Sequence, residues 1–337
     1  MSKHRLTAAA IIAIAALLPT PVGPTPAAAA ATTVWREVPS PDGTLTRVLA
    51  PAQINHRLRG TVRADVTVLQ ETGPSAKRYN IAVLGDGYTA AEQSTFLEQA
   101  RARWAELSAA EPFKTYRQAF NVYAVGVVSA ESGVDNDPYG ARRDTALNME
   151  FGCDNGSERM LCVDTDRAHQ YAALAPGADQ VLVIANSAKY GGLGYPFDDL
   201  ATSAGANARS GRIVIHELGH SMGDLVDEYV LQDMTYNNGE PRYANVSVYD
   251  QAQMGSRATK WASLLGKPTP DGGVIGTFPG AWAFYSSGIY RPSENSLMRS
   301  LDKPFNLVGL AAMTEEIRRR APDVPPASEP DWVRLTH

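Results

Sequence analysis

Two histidines four residues apart, His216 and His220, bracket a glutamate, Glu217, in the stretch HELGH. On a helix, positions i and i+4 share one face, so two imidazoles at this spacing can converge on a single zinc ion. A glutamate beside the first can reach a water activated there, which makes hydrolysis the chemistry on offer. Such a pair needs a third ligand. Were the helix to run on, Asp227 would stand about 10 Å beyond His220 along the axis, too far to share an ion. The spacing therefore predicts a break first, at Gly223, where a glycine can turn left-handed and send the chain back.

A third histidine three residues after that glycine would complete the HExxHxxGxxH pattern, but Val226 occupies the position, and His56, His169 and His337 are remote in sequence. A carboxylate close behind the glycine is the economical choice. Asp224 follows the turn too closely to swing back and reads as a solvated residue. Asp227, behind the apolar pair Leu225 and Val226, is the preferred third ligand; Glu228 is the alternative, and a remote residue the last resort. The acid of the adjacent pair that does not bind is expected to support a ligating histidine from behind.

Several elements must position these groups. Ser210 is a plausible N-cap for the helix, on which Val214, Leu218, Met222 and Leu225 form one stripe and His216, His220 and Gly223 the opposite one, a core face and a cleft face. Upstream, YNIAVLGDGYTAAEQSTFLEQARARWAEL predicts a strand over residues 80–84, a turn over 85–87, a capping box from Thr89 to Glu92, and a helix with Phe96, Leu97, Ala100, Trp104 and Leu107 on its buried side. Strands are expected in FNVYAVGVV and over residues 180–186, giving an α/β-like upper layer. The Gly- and Ser-rich SAKYGGLGYPFDDLATSAGANARSG reads either as a surface loop or as a sheet rim beside a cleft; in the second case Gly191, Gly192, Leu193 and Gly194 form an edge that pairs with extended peptide. After Tyr229 the pattern loosens into loop until a closing helix marked by Leu307, Leu310, Met313 and Ile317. Residues 32–77 are a β-rich lead-in, either a structural extension or a removable prosegment.

Composition narrows the partners. A basic head with Lys3 and Arg5, an apolar run over residues 8–18 and small residues up to Ala31 have the layout of a secretory signal peptide over residues 1–31. No stretch reaches the roughly 20 apolar residues of a membrane span. The net charge of −5, more negative once Lys3 and Arg5 leave with the signal, carries no basic footprint for nucleic acid. Cys153 and Cys162, the two cysteines of the chain, are expected to form a disulfide in an oxidising compartment, worth about 2–3 kcal/mol by loop entropy. The acidic segments GVDNDPYG and CVDTDR are candidates for calcium, or solvated loop acids.

The segments LGDGYTA, PFKTY with FNVYAV and SAESGVDND, HELGHSMGDLVDEY and GIYRPSENSLMRS resemble, in order over residues 78–320, the signatures of the IgA-peptidase family of bacterial zinc metallopeptidases. The resemblance implies an α+β, metzincin-like zinc peptidase fold: an upper catalytic subdomain with the active-site helix over residues 78–229, and an irregular C-terminal subdomain over 230–337. It implies Met298 as a Met-turn methionine beneath the metal, and Tyr290 or Tyr285 as a tyrosine that could steady an oxyanion. The resulting expectation is a secreted, monomeric zinc endopeptidase acting on protein or peptide substrates, with Glu217 as general base. A zinc amidase of cell-wall peptides and a non-catalytic binding module that kept the fold are the alternatives.

Overall fold

The computed structural model describes residues 33–51, 61–153, 157–195 and 197–336; the leader-like residues 1–31, His56 and His337 lie outside them. The first described element is a hairpin of β1 (Thr33–Pro39) and β2 (Leu45–Pro51), which among the described residues form a two-stranded sheet of their own. There follow β3 (Asp65–Gln70), β4 (Tyr79–Asp86), helix α1 (Gln93–Leu107) and β5 (Phe120–Gly126). Next come the two-residue strands β6 (Glu150–Phe151) and β7 (Leu161–Cys162), helix α2 (Thr165–Ala172), and strands β8 (Gln180–Ala185), β9 (Gly192–Tyr195) and β10 (Leu200–Ala204). Helix α3 (Ser210–Ser221) leads into β11 (Val230–Thr235), α4 (Gln251–Arg257), β12 (Phe278–Ala281), β13 (Ala283–Arg291), α5 (Leu307–Arg320) and α6 (Asp331–Thr336).

The main sheet has the order β3-β5-β4-β8-β10-β9. Its four inner strands are parallel, and β3 and β9 close the two edges antiparallel. Parallel strands covered on both faces read as unbroken apolar runs, and every residue of β4, β8 and β10 is buried. Ile81 and Val83 of β4 point to the face covered by α1 and α3, while Ala82 and Leu84 point to the face covered by α2 and the bonded pair Cys153 and Cys162. The capping box of Thr89 and Glu92 forms, with the Thr89 N–H donating to Glu92 Oε2 at 3.0 Å, and starts a short turn that runs into α1. The result is the mixed α and β architecture expected.

Several details differ from the pattern-based reading. The lead-in over residues 32–77 is divided: β3 belongs to the main sheet, the hairpin does not. The Gly-rich segment is a rim, not a plain loop, since it forms edge strand β9 and its neighbour β10. Ser210 is already the first residue of α3 and Arg209 precedes it as the cap; the Ser210 hydroxyl instead donates to the Gly191 carbonyl at 3.1 Å, tying the helix to the rim. The stretch after Tyr229 is loop-rich but contains a three-stranded sheet, β11-β13-β12. Its register shifts and the largely exposed β11 explain why no period-2 pattern reveals it. The closing helix is as expected, with Leu307, Leu310, Met313 and Ile317 all buried.

The end of α3 is the detail that matters most for the chemistry. The helix stops at Ser221, and the Leu225 N–H returns to the Gly219 carbonyl at 3.1 Å. The left-handed residue of this reversal is Asp224, at φ 47°, and not Gly223. Aspartate tolerates that region better than most residues. Gly223 is required for space: a Cβ there would lie 2.8 Å from Met313 Sδ and 2.9 Å from the Gly219 carbonyl oxygen. Gly223→Ala is therefore expected to cost about 1–3 kcal/mol through overpacking, whereas Asp224→Gly changes stability by less than about 1 kcal/mol, because it loses only an exposed pair with Arg242 and gains a residue suited to the conformation. Urea unfolding midpoints of the two variants check this.

Candidate metal centre

His216 and His220 rise from α3 with their ring nitrogens sorted by the backbone around them. His216 Nδ1 lies 3.0 Å from the Leu297 carbonyl and His220 Nδ1 2.8 Å from the Leu225 carbonyl. A carbonyl only accepts, so each Nδ1 carries a proton and each Nε2 presents a lone pair. These Nε2 atoms stand 3.2 Å apart. The reversal after α3 brings Asp227 Oδ1 to 3.4 Å from His216 Nε2 and 3.2 Å from His220 Nε2. A fourth atom completes the group from an unexpected direction: Glu37 Oε1, on β1, lies 2.8 Å from His216 Nε2.

With both imidazoles neutral, as metal binding requires, all four atoms are acceptors, and they face one another. Glu37 Oε1 and Asp227 Oδ1 are buried without a hydrogen-bond donor, and a buried acceptor left unmatched is costly. The three separations among His216, His220 and Asp227 suit the edges of a tetrahedron, which measure about 3.3 Å for ligands at the ~2.0–2.1 Å bond lengths of zinc–nitrogen and zinc–oxygen contacts. Among the described residues, these four are the one group of three or more such side chains able to hold a metal ion. Charge points the same way. Glu37, Asp227 and Glu217 are all buried, and among the described residues Arg47 is the one lysine or arginine that pairs with them, so the acids outnumber the permanent cations of the pocket. Burial opposes protonation of His216, yet Glu37 and Asp227 outweigh it and raise the imidazole's pKa; proton and metal compete for the same lone pairs.

Each neighbour of the group has a distinct task. Arg47, on β2, pairs with Asp227 Oδ2 and donates from Nε to the Tyr229 hydroxyl at 3.1 Å. Tyr229 in turn donates to Glu37 Oε2 at 2.7 Å. Asn245 grips the backbone of Val226 twice, accepting its N–H at 3.0 Å and donating to its carbonyl at 2.8 Å, which fixes the segment carrying Asp227. The Trp282 N–H adds a bond to the Asp227 carbonyl at 2.7 Å. Burial first, then the Glu37 charge, pushes the Glu217 carboxyl up to about 7, with the imidazoles pulling the other way. That carboxylate lies against Gly194 of the rim, where a Cβ would overlap it.

Glu228 points away from the imidazoles. Its carboxylate accepts from Asn245 Nδ2 at 3.0 Å, Ser296 Oγ at 2.7 Å and Asn306 Nδ2 at 3.1 Å, while its own N–H donates to the Met298 carbonyl at 2.7 Å. It therefore pins the turn that holds Met298, and not a ligating histidine. Met298 is buried, and its sulfur packs under α3 at Gly219, where a Cβ would come within 2.5 Å of Sδ. Asp224 is exposed and pairs with Arg242. Tyr290 is joined through its backbone to Ser247, and the Tyr285 ring lies among Tyr236, Trp282 and Phe284. The tyrosine whose hydroxyl touches the group is Tyr229. Three of the four acids considered for calcium are engaged by protein donors: Asp135 by Arg142 and the Arg143 N–H, Asp137 by Ser187, and Asp164 by the Arg167 N–H at the start of α2.

Residues 67–271, more than half of the chain, match the family described as IgA Peptidase M64. The chain belongs to the IgA peptidase M64 family. No curated protein matches it. Membership makes the chain a peptidase, and the candidate metal site lies within the matched region except for Glu37, which precedes it. Met298 lies beyond the end of the match.

Sequence reasoning did not single out Glu37, Arg47, Tyr229 or Asn245. Of these, Tyr229 had a signal, since it follows the two candidate acids directly; the others are brought in by folding alone. The adjacent acids separate by experiment. Asp227→Ala is expected to abolish stoichiometric metal retention, measured by atomic absorption after gel filtration. Glu228→Ala should retain metal in the folded fraction but lose about 3 kcal/mol or more of stability, because Asn245, Asn306 and Ser296 are left with unmatched buried donors.

Proposed function

We propose that the protein is a secreted zinc endopeptidase whose ligands are His216, His220 and Asp227 and whose general base is Glu217. The observation that carries this reading is the convergence of four donor-free lone pairs in a buried pocket short of positive charge. Two imidazoles and a carboxylate at tetrahedral spacing suit zinc. Zinc bound there would supply Lewis acidity, polarising a scissile carbonyl and bringing the pKa of water toward neutrality.

The chain's own residues supply the rest. The Leu297 and Leu225 carbonyls hold both imidazoles in the tautomer that presents Nε2. Glu217, with its carboxyl poised near neutrality by burial, takes a proton from the attacking water and returns it to the leaving amine. Edge strand β9 pairs with an extended peptide along residues 193–195, since Gly192 is already bridged to Met160; Gly194 leaves room for the Glu217 carboxylate beneath it. Tyr229 presents its hydroxyl to Glu37, the carboxylate that contacts His216, and is better placed than Tyr290 or Tyr285 to donate to a developing oxyanion. Export rests on the signal-like residues 1–31, and the bonded pair Cys153 and Cys162 suits an oxidising compartment.

Glu217→Ala is expected to keep the metal at one equivalent while turnover of casein falls by about 10²–10⁴-fold, the usual span for loss of a general base. Unchanged cleavage in the variant, or a parallel assay in which purified peptidoglycan is hydrolysed and casein is not, contradicts the reading.

A further inference from the structure

The fourth donor of the metal-facing group belongs to a hairpin that stands outside the main sheet and is anchored in the body by the buried side chains of Val38 and Leu45. β1 and β2 pair only with each other, and the family match begins at residue 67, after both. Glu37 and Arg47 are register partners across this hairpin, so one cross-strand pair delivers both charges to the site: Glu37 Oε1 to the His216 imidazole and the Arg47 guanidinium to the outer oxygen of Asp227. A catalytic zinc site keeps one position open, whereas a site closed by four protein ligands is structural. As folded here, the cage is closed.

The hairpin also covers the cleft around that atom. β1 packs against rim strand β9, with the Arg36 guanidinium 4.6 Å from the centre of the Tyr195 ring. Trp35 stacks edge-on to Phe284 at 5.2 Å, and Arg47 lies over the same ring. The turn between the strands is held from both sides of the cleft. Arg159 donates to the Ser40 hydroxyl and Tyr190 to the Ser40 carbonyl from the upper side. Arg209 donates to the Pro41 carbonyl at 2.7 Å, and the Leu301 N–H to the Gly43 carbonyl at 2.8 Å from the side that carries Met298.

We propose that the β1–β2 hairpin is an autoinhibitory plug: Glu37 fills the coordination position that a substrate carbonyl or attacking water needs, and the enzyme is latent until the hairpin is withdrawn or cut away. This rests on the metallopeptidase reading and adds its regulation. Cleavage between β2 and β3 would leave the hairpin held by noncovalent contacts alone, and once it dissociates a lone two-stranded hairpin has little structure to rebind with. Arg47 leaves with it and frees the outer oxygen of Asp227. The Tyr229 hydroxyl, now donating to Glu37, is freed toward the same position.

The test uses the full chain loaded with zinc, as wild type, Glu37→Gln and Glu37→Ala, the isosteric amide guarding against misfolding of the smaller variant. The decisive reading is affinity for acetohydroxamate, a small ligand that needs an open metal position, by calorimetry. If the plug keeps the site closed in about 99% of molecules, both variants bind about 100-fold more tightly than the wild type. Casein cleavage is followed alongside: the wild type should start slowly and accelerate on limited proteolysis before β3, and the variants should start fast. Equal hydroxamate affinity in all three proteins overturns the plug, and if the wild type then cuts casein as fast as the variants, the peptidase reading survives without it. Tighter hydroxamate binding by the variants with no cleavage by any form supports the plug and sinks the peptidase reading.

Discussion

Four lone pairs aimed at one buried point, with no donor among them, is the constraint on which the rest of this structure depends. Nothing in an apolar interior makes such an arrangement favourable by itself, since each unmatched acceptor carries its full desolvation penalty. The surrounding fold must hold it. Two backbone carbonyls fix the imidazole tautomers, the chain reversal after Ser221 returns Asp227 to the level of His220, and Asn245 clamps the returning segment at Val226. A cation converts this cost into binding free energy, which couples metal affinity to the folding of the lower half of the molecule.

Two adjacent acids divide the labour. Asp227 faces the imidazoles, and Glu228, one residue on and facing the opposite side, gathers Asn245, Ser296 and Asn306 and bonds through its N–H to Met298. Asn306 also caps α5 through the Gly309 N–H. A single carboxylate therefore ties together the reversal after α3, the turn at Met298 and the start of the closing helix. Burial raises its pKa while three donors oppose the rise, a balance suited to a structural acid and not to a metal ligand.

Much of this was legible in the sequence because it is local. The two histidines, the glutamate between them, the need for a break and the preference for Asp227 over Glu228 rest on residues within a dozen positions of one another. The inner strands and the closing helix announce themselves through apolar runs and helical spacing. What was illegible is set by contacts distant along the chain. Glu37 lies far upstream of His216, and a glutamate in a short strand has no periodicity that marks it. Asn245 sits in a loop whose composition is ordinary. Gly223 was assigned to the left-handed turn because glycine most often fills it, whereas here crowding by Met313 demands glycine and Asp224 adopts the turn. The β11-β13-β12 sheet escaped because its strands are exposed or shifted in register.

Zinc-edge X-ray absorption on the full chain after gel filtration with one equivalent of zinc tests the central claim most directly. The account predicts a retained ion with about four nitrogen and oxygen neighbours at ~2.0–2.1 Å and the multiple-scattering pattern of two imidazoles. Zinc lost on the column, or a shell of oxygen alone with no imidazole signature, would contradict it.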